Sequence, residues 1–334
     1  MPMSPWLVVL LVVAATLVTA GFFYATLPMT IQTIMKLLLW PRYRVKVTGL
    51  EHVPPSGPVS FVANHTSWLD GLFFAGYNPR RGKAMVSAAL VNKPVARQLA
   101  VRAGIIPTPY TGPRAIRVAL ALGRAVLDEG KALGVFPEGQ ISRTGMVGPF
   151  QRGIEAILRG KDDVPVIPVA IDNLWGSFFS KADGKFFHQR PRGWRHTVVL
   201  AFGPPVPAPV TAFQVRQAVL ERLVVARSIT GVPYHPLEAI DLNLPHWQGP
   251  GLGLLTASTA DVHIPEADVH QVGQKPGTVG TAVPGVAVRA ADDAGLALPP
   301  DAEGRLEVRT PARPEWFDTG RRGSLDREGF VRLR

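Results

Sequence analysis

A histidine and an aspartate five residues apart, in the stretch SFVANHTSWLDG at residues 60–71, are the first candidates for chemistry in this sequence. A histidine side chain titrates near pH ~6.5 in model peptides, so His65 can accept a proton at neutral pH. A carboxylate such as Asp70 on the other ring nitrogen would fix the tautomer and stabilise the imidazolium. Such a pair has no covalent nucleophile, so its proton must come from a substrate, most simply a hydroxyl. The same residues also fit a helix cap beside a satisfied histidine.

A second candidate cluster is the stretch FPEGQISR at residues 136–143. Glu138 adds a carboxylate, Gly139 permits close approach of the backbone, and Arg143 and Arg152 add cations. Cations next to a hydroxyl-activating base predict a phosphate-bearing acceptor. The alternatives are a capping carboxylate at a helix N-terminus and ordinary solvated arginines.

Both clusters follow short apolar runs that we interpret as buried strands, residues 59–63 and 133–136. Further strands are predicted at residues 44–47, 84–89, 164–171 and 197–202, and helices at 67–77, 94–103, 114–128 and 211–227. Strands that alternate with helices predict an α/β sheet with helices on its faces. Sites in such sheets lie beyond the carboxyl ends of the strands, so we expect the two clusters to meet. The prolines of VPVIPVAI, residues 164–171, predict an edge strand or a bulge.

The N-terminus predicts a membrane anchor over residues 1–40. The segment 6–27 has no charged residue and at ~1.5 Å per residue would span ~33 Å, enough for a transmembrane helix. The shorter apolar segment 29–40 predicts an interfacial helix. Basic residues that follow would place the rest of the chain on the cytoplasmic face of the inner cell membrane. A cleaved signal peptide fits less well, because MPMSP has no basic residue and the apolar run is too long.

The amino-acid composition limits the classes of partner and of site that this protein could have. The 334 residues include no cysteine, which excludes disulfides, thiolate metal sites and a thiol nucleophile. The net charge of +11 attracts an anionic partner, and we favour anionic lipid over nucleic acid because no zinc-finger spacing or basic recognition pattern is present. No metal is predicted, since the acidic and histidine residues at 261–270 match no ligand spacing. The aromatic residues of the segment 175–187 fit an acyl-chain path or ordinary packing.

Three of these stretches resemble the motifs of the glycerolipid acyltransferase superfamily. Asn64–Asp70 (N-H-x4-D) resembles its first motif, FPEG its third and VPVIPVAI its fourth, within residues 42–225. The resemblance implies a membrane-anchored acyltransferase-like sheet with flanking helices, in an α/β domain at residues 41–235. It also implies transfer of a fatty acyl group from acyl-CoA or acyl-carrier protein to a lysophospholipid hydroxyl, without a cofactor. The acceptor would be 1-acylglycerol-3-phosphate or lysophosphatidylethanolamine.

The resemblance also assigns roles to residues. His65 would be the general base, oriented by Asp70, and no covalent intermediate would form. The second motif departs from the family, because GIIPTP at 104–109 lacks its arginine and Arg114 or Arg117 would have to substitute. The substrate-binding residues implied are Asn64, Glu138, Gly139, Arg143, Arg114 and Arg152.

The C-terminal segment resembles a different family. Residues 275–289 and 315–334 are similar to the late part of adenylate-forming, acyl-activating enzymes. Arg321 stands where that family has its ribose-binding aspartate, and no phosphate loop is present, so ATP-dependent ligase activity is not expected. We therefore predict a linker at 236–270 and a small β-rich remnant at 271–334. The alternative for the whole chain is a non-catalytic, membrane-attached protein that binds lipid or carrier protein and derives from a bifunctional ancestor.

Overall fold

A computed structural model describes residues 4–91, 93–108, 112–177, 179–180, 195–231, 240–264 and 269–334. Its first element is a single helix, α1, over Pro5–Leu39. Ser4 caps this helix and Pro5 occupies its first turn, where a missing N–H costs nothing. At ~1.5 Å per residue, 35 residues are ~52 Å long, so α1 is long and apolar enough to cross a membrane.

The helix α1 joins the two segments that the sequence analysis separated at Pro28. A proline inside a helix leaves the carbonyl four residues earlier without its donor. Here that carbonyl belongs to Tyr24, and Arg102 Nε donates to it at 3.2 Å. Arg102 Nη2 also donates to the Ala25 carbonyl at 3.3 Å, so the helix continues through the proline.

The central sheet has seven strands in the order β1-β7-β6-β2-β5-β3-β4. Neighbours are parallel except β6 and β7, which are antiparallel. The α/β prediction is therefore confirmed. The strands are β1 Tyr43–Thr48, β2 Val59–Ala63, β3 Gly82–Ser87, β4 Ile105–Thr108, β5 Ala132–Val135, β6 Val166–Asp172 and β7 His196–Phe202.

Helices cover the sheet and bury its apolar side chains in two core clusters. The longest helix after α1 is α6, which begins with a complete capping box between Thr211 and Gln214. The C-terminal part of α1 packs on α2, and a Cβ on Gly76 would lie 3.1 Å from the Met35 Cβ. The helices are α2 Asp70–Tyr77, α3 Pro94–Arg102, α4 Pro113–Asp128, α5 Gly153–Leu158 and α6 Ala212–Thr230.

The prediction that VPVIPVAI forms an edge strand is wrong, because β6 lies between β7 and β2. Pro168 is tolerated there for a local reason. The ladder with β7 begins at Val169, and the Pro168 carbonyl accepts from Gly203 N at 2.8 Å, beyond the end of β7. A strand turns the N–H and the carbonyl of one residue to the same side. The nitrogen of Pro168 therefore faces a place where the ladder needs no donor.

The described C-terminal residues, 240–264 and 269–334, form a β module that packs on α6 and shares a core cluster with it. The segment predicted as a linker carries strands of this module, and β10 and β11 form a hairpin. The predicted β-rich C-terminal segment is confirmed. The strands are β8 His246–Gly249, β9 Gly253–Ala257, β10 Val262–Ile264, β11 Val269–Gln271, β12 Thr281–Ala282, β13 Ala287–Ala291, β14 Gly304–Thr310, β15 Arg313–Leu325 and β16 Val331–Leu333.

Candidate active site

The loop between β2 and α2 closes around one buried carboxylate. Asp70 is fully buried in the first turn of α2. Its Oδ2 accepts from His65 Nδ1 at 2.9 Å, from Thr66 N at 2.6 Å and from Ser67 N at 2.9 Å. The five-residue spacing therefore lets one carboxylate both tie the loop together and hold the imidazole. The helix-cap interpretation is wrong, because Leu69 is the N-cap of α2 without a side-chain cap, and Asp70 binds N–H groups that precede the helix.

The His65 ring turns one nitrogen towards Asp70. The ring as a whole is partly exposed to solvent. It packs on the Phe136 ring, with centroids 4.6 Å apart, and 20% of its side chain is exposed. The contact of Nδ1 with the Asp70 carboxylate places the ring proton on Nδ1. The opposite nitrogen, Nε2, makes no hydrogen bond within the described part of the chain. It therefore has the lone pair that a general base needs.

The loop that follows β5, residues 136–150, is called the Glu138 loop below. It begins with a turn in which Gly139 N donates to the Phe136 carbonyl at 3.1 Å, and Gly139 has φ +70°. Glu138 Oε1 accepts from His65 N at 2.7 Å, and Ser142 N donates to the His65 carbonyl at 2.9 Å. The loop thus holds the backbone of His65 from both sides. The prediction that the two clusters meet is correct.

The Glu138 carboxyl is buried between two backbone donors. Its Oε2 accepts from Gly148 N at 2.9 Å, so its two oxygens join His65 to the far end of the Glu138 loop. Burial raises the pKa of Glu138 to about 8, while these hydrogen bonds and the charge of Arg216 act in the opposite direction. Glu138 therefore supports the site by holding the backbone of His65 in place.

Asn64 lies behind the site as well. Its side chain is 1% exposed. Its Oδ1 accepts from Ile171 N at 2.8 Å and its Nδ2 donates to the Ile171 carbonyl at 3.0 Å. The amide thus joins the ends of β2 and β6, and this structural role replaces the substrate contact we expected of it.

The predicted phosphate-binding arginines lie in different environments. Arg143 is part-buried in the Glu138 loop, and burial lowers the pKa of its guanidinium. Arg114 is exposed in the first turn of α4. Arg152 is 80% exposed and pairs with Glu155 at 2.9 Å. Among the described residues, neither Arg114 nor Arg152 hydrogen-bonds to the loops of His65 and Glu138, and their contact with substrate stays a prediction.

Comparison with known proteins identifies this part of the chain. The family model described as Acyltransferase matches residues 44–172, the segment that contains both loops. Residues 44–172 are an acyltransferase-family domain.

The sequence relatives of this acyltransferase domain have related names. The 1-acyl-sn-glycerol-3-phosphate acyltransferase alpha of Mus musculus is 33% identical over 156 residues, which cover 45% of this chain and 54% of that protein. The chloroplastic 1-acyl-sn-glycerol-3-phosphate acyltransferase BAT2 of Brassica napus is 29% identical over 40% of this chain and 38% of that protein. The chain thus spans about half or less of the length of these relatives.

A solved structure is also similar. The crystal structure of the 1-acyl-sn-glycerophosphate acyltransferase PlsC from Thermotoga maritima has a TM-score of 0.47 and 24% identity, over 64% of this chain and 81% of that chain. The resemblance of the C-terminal module to adenylate-forming enzymes stays a prediction.

Two other sequence interpretations concern residues around the acyltransferase domain. Trp175 packs on Gly145 of the Glu138 loop, where a Cβ would lie 2.8 Å from the indole. Of the other aromatic residues, Phe179 accepts a backbone hydrogen bond from Trp68, and Phe178, Phe186 and Phe187 lie outside the described residues. In the acidic and histidine segment, Glu266 and Asp268 lie outside them too.

Sequence reasoning missed one residue that bears directly on the site. Arg216 of α6 is 1% exposed and donates to the Gly148 carbonyl from Nε at 3.0 Å and to the Val147 carbonyl from Nη2 at 2.8 Å. A signal was present, because Arg216 falls at i+4 from Ala212 and i−4 from Leu220, on the buried stripe of the helix. An arginine in an apolar stripe predicts a buried partner.

Proposed function

We propose that this chain is a membrane-anchored O-acyltransferase that moves a fatty acyl group from a thioester to the free hydroxyl of a lysophospholipid. The observation that carries the proposal is the His65 imidazole, held on Nδ1 by a buried carboxylate and open on Nε2, inside an acyltransferase-family domain. The names of the relatives favour 1-acylglycerol-3-phosphate over lysophosphatidylethanolamine as the acceptor.

In the proposed mechanism, His65 is the general base. Its Nε2 takes the proton of the acceptor hydroxyl while the hydroxyl oxygen attacks the thioester carbonyl carbon. The tetrahedral intermediate collapses with cleavage of the carbon–sulfur bond, and the imidazolium returns the proton to the departing thiolate. The products are the diacyl lipid and a free thiol, and no acyl-enzyme forms. A base of this kind contributes ~10²–10⁴-fold in rate.

The oxyanion of that intermediate needs hydrogen-bond donors from outside the His65 loop. Every backbone N–H from residue 65 to residue 70 already has an acceptor. The acceptors are the carboxylates of Glu138 and Asp70, the Phe179 carbonyl, and the hydroxyl and carbonyl of Ser67. The donors must therefore come from another segment around the site, and this argues against an oxyanion hole formed by the motif itself.

Charge and anchoring support the proposed substrates. Arg143, in the loop that contacts His65, is the cation we assign to the acceptor phosphate. Acyl-CoA and acyl-carrier protein are both anionic thioester donors, and a chain of net charge +11 suits either. The helix α1 would hold the site at the membrane where the lipid acceptor resides, on the cytoplasmic face.

The test is acyl transfer by the purified full-length protein without ATP. Radiolabelled acyl-CoA and acyl-carrier protein are each offered with 1-acylglycerol-3-phosphate and with lysophosphatidylethanolamine. We expect product with 1-acylglycerol-3-phosphate, and a loss of at least ~10²-fold in kcat for His65→Ala. His52→Ala is the matched control, because among the described residues this partly exposed histidine has its ion pair with the adjacent Glu51. No product from any pair, in an assay in which an authentic acyltransferase works, would favour the non-catalytic binding protein instead.

A further inference from the structure

The hairpin of β10 and β11 contacts the Glu138 loop directly. Gln271 Oε1 accepts from Arg143 N at 2.9 Å, and Gln271 Nε2 donates to the Ile141 carbonyl at 3.0 Å. Gln140 Nε2 also donates to the His270 carbonyl at 3.2 Å. One side chain of the C-terminal module therefore satisfies a donor and an acceptor of the backbone that carries Arg143.

A second part of the C-terminal module reaches the other end of the same loop through Arg216. The turn between β15 and β16 packs on the guanidinium, since a Cβ on Gly329 would lie 2.0 Å from Arg216 Nη1. Asp326 and Glu328 of this turn act on Arg216 by charge, against the burial that lowers its pKa to about 10. Arg216 in turn holds the carbonyls of residues 147 and 148, next to the Gly148 N–H that binds Glu138.

The two contacts are independent and fall at residues 140–143 and 147–148 of one loop. The first of these two stretches contains Ser142, whose N–H binds the His65 carbonyl. A loop rich in turns, without a ladder of its own, depends on such outside partners for a single conformation. Here these partners include residues more than 65 positions later in the chain, from helix α6 and from the C-terminal module.

We propose that the C-terminal module positions the acceptor-binding loop of the acyltransferase site, and that Gln271 is the positioning residue for the backbone of Arg143. The inference rests on the proposed function for its kinetic consequence. Gln271 would touch neither substrate nor the reacting atoms. It would set where the Arg143 side chain starts, and so how well the acceptor phosphate is held.

The test compares Gln271→Met with wild type in the full-length protein. Methionine keeps the length of the side chain and removes both hydrogen bonds. Gln248→Met is the control, because Gln248 is exposed on β8 of the same module. We expect the KM for 1-acylglycerol-3-phosphate to rise roughly tenfold, the KM for the acyl donor to stay within about twofold, and the unfolding temperature to match that of the control.

Hydrogen–deuterium exchange supplies a readout that needs no activity. The Arg143 amide should exchange roughly tenfold faster in Gln271→Met and at the wild-type rate in Gln248→Met. If the wild type transfers no acyl group but Arg143 exchanges faster in Gln271→Met than in the wild type, the proposed function is refuted and the positioning role is supported. An active enzyme in which Gln271→Met changes neither the exchange of Arg143 nor the acceptor KM would overturn the positioning role alone.

Discussion

The contribution of the Asp70 charge to catalysis can be separated from that of its hydrogen bonds, because an asparagine of the same shape fits at this position. Oδ2 accepts three hydrogen bonds, whereas Oδ1 is buried without a hydrogen-bond partner among the described residues. In Asp70→Asn the amide oxygen can take the position of Oδ2 and the amide nitrogen that of Oδ1. The variant then keeps an acceptor for the three donors of Oδ2 and removes the negative charge.

The magnitude follows from the distance of 2.9 Å between His65 Nδ1 and Asp70 Oδ2. The centres of charge of an imidazolium and this carboxylate would lie ~4 Å apart, and at an effective dielectric constant of ~20 their attraction is ~4 kcal/mol. This attraction exists only while His65 holds the substrate proton. We therefore expect kcat to fall about 10³-fold at neutral pH, with little change in the KM of the acceptor.

The assay is steady-state acyl transfer with both substrates varied. Asp162→Asn serves as the control, because this aspartate is exposed in the loop before β6. An Asp70→Asn enzyme with the unfolding temperature of the wild type and a kcat within tenfold of it would refute the reasoning. The loop closure would then be the whole function of Asp70.

Two further predictions concern stability. The pKa of Glu138, raised to about 8, means that the folded protein keeps a proton which the unfolded chain loses above its ordinary pKa of 4.5. Relative to Glu138→Gln, the unfolding free energy of the wild type should therefore fall as the pH rises from 5 to 8, by at most ~1.4 kcal/mol per pH unit. Urea titrations of both proteins measure this difference, and a difference that does not change with pH would contradict the prediction. Asn64→Ala leaves the N–H and carbonyl of Ile171 unpaired, so it should lower the unfolding free energy by ~2–4 kcal/mol, and a loss below ~1 kcal/mol would contradict the structural role.

The parts of the site that could be predicted from the sequence are local. The pairing of His65 with Asp70 spans five residues, and the apolar strand before it fixes the direction in which the loop leaves the sheet. The meeting of that loop with Glu138 followed from a general rule, since β2 and β5 are parallel neighbours and both loops leave at their carboxyl ends.

What the sequence could not predict depends on contacts between distant segments. The amide of Asn64 finds its partner 107 residues away, and Arg143 N finds Gln271 128 residues away. Periodicity describes which face of an element is apolar, but it does not say which loop that face will meet. The strands inside the predicted linker could not be predicted for a related reason. Strands as short as His246–Gly249 show too few alternations to be recognised, and they form only because β9 pairs with them.

The contacts of Arg216 explain how the C-terminal module affects the Glu138 loop. A guanidinium in water exchanges its hydrogen bonds among many solvent molecules, whereas one buried against fixed carbonyls does not. The turn at residues 326–329 excludes solvent from the side of Arg216 that faces away from the Glu138 loop. The Gly148 carbonyl binds Arg216, and the Gly148 N–H binds the Glu138 carboxyl. Solvent at Arg216 would therefore loosen the segment that holds this carboxyl against the His65 backbone. The C-terminal module thus completes the burial on which the Glu138 loop depends.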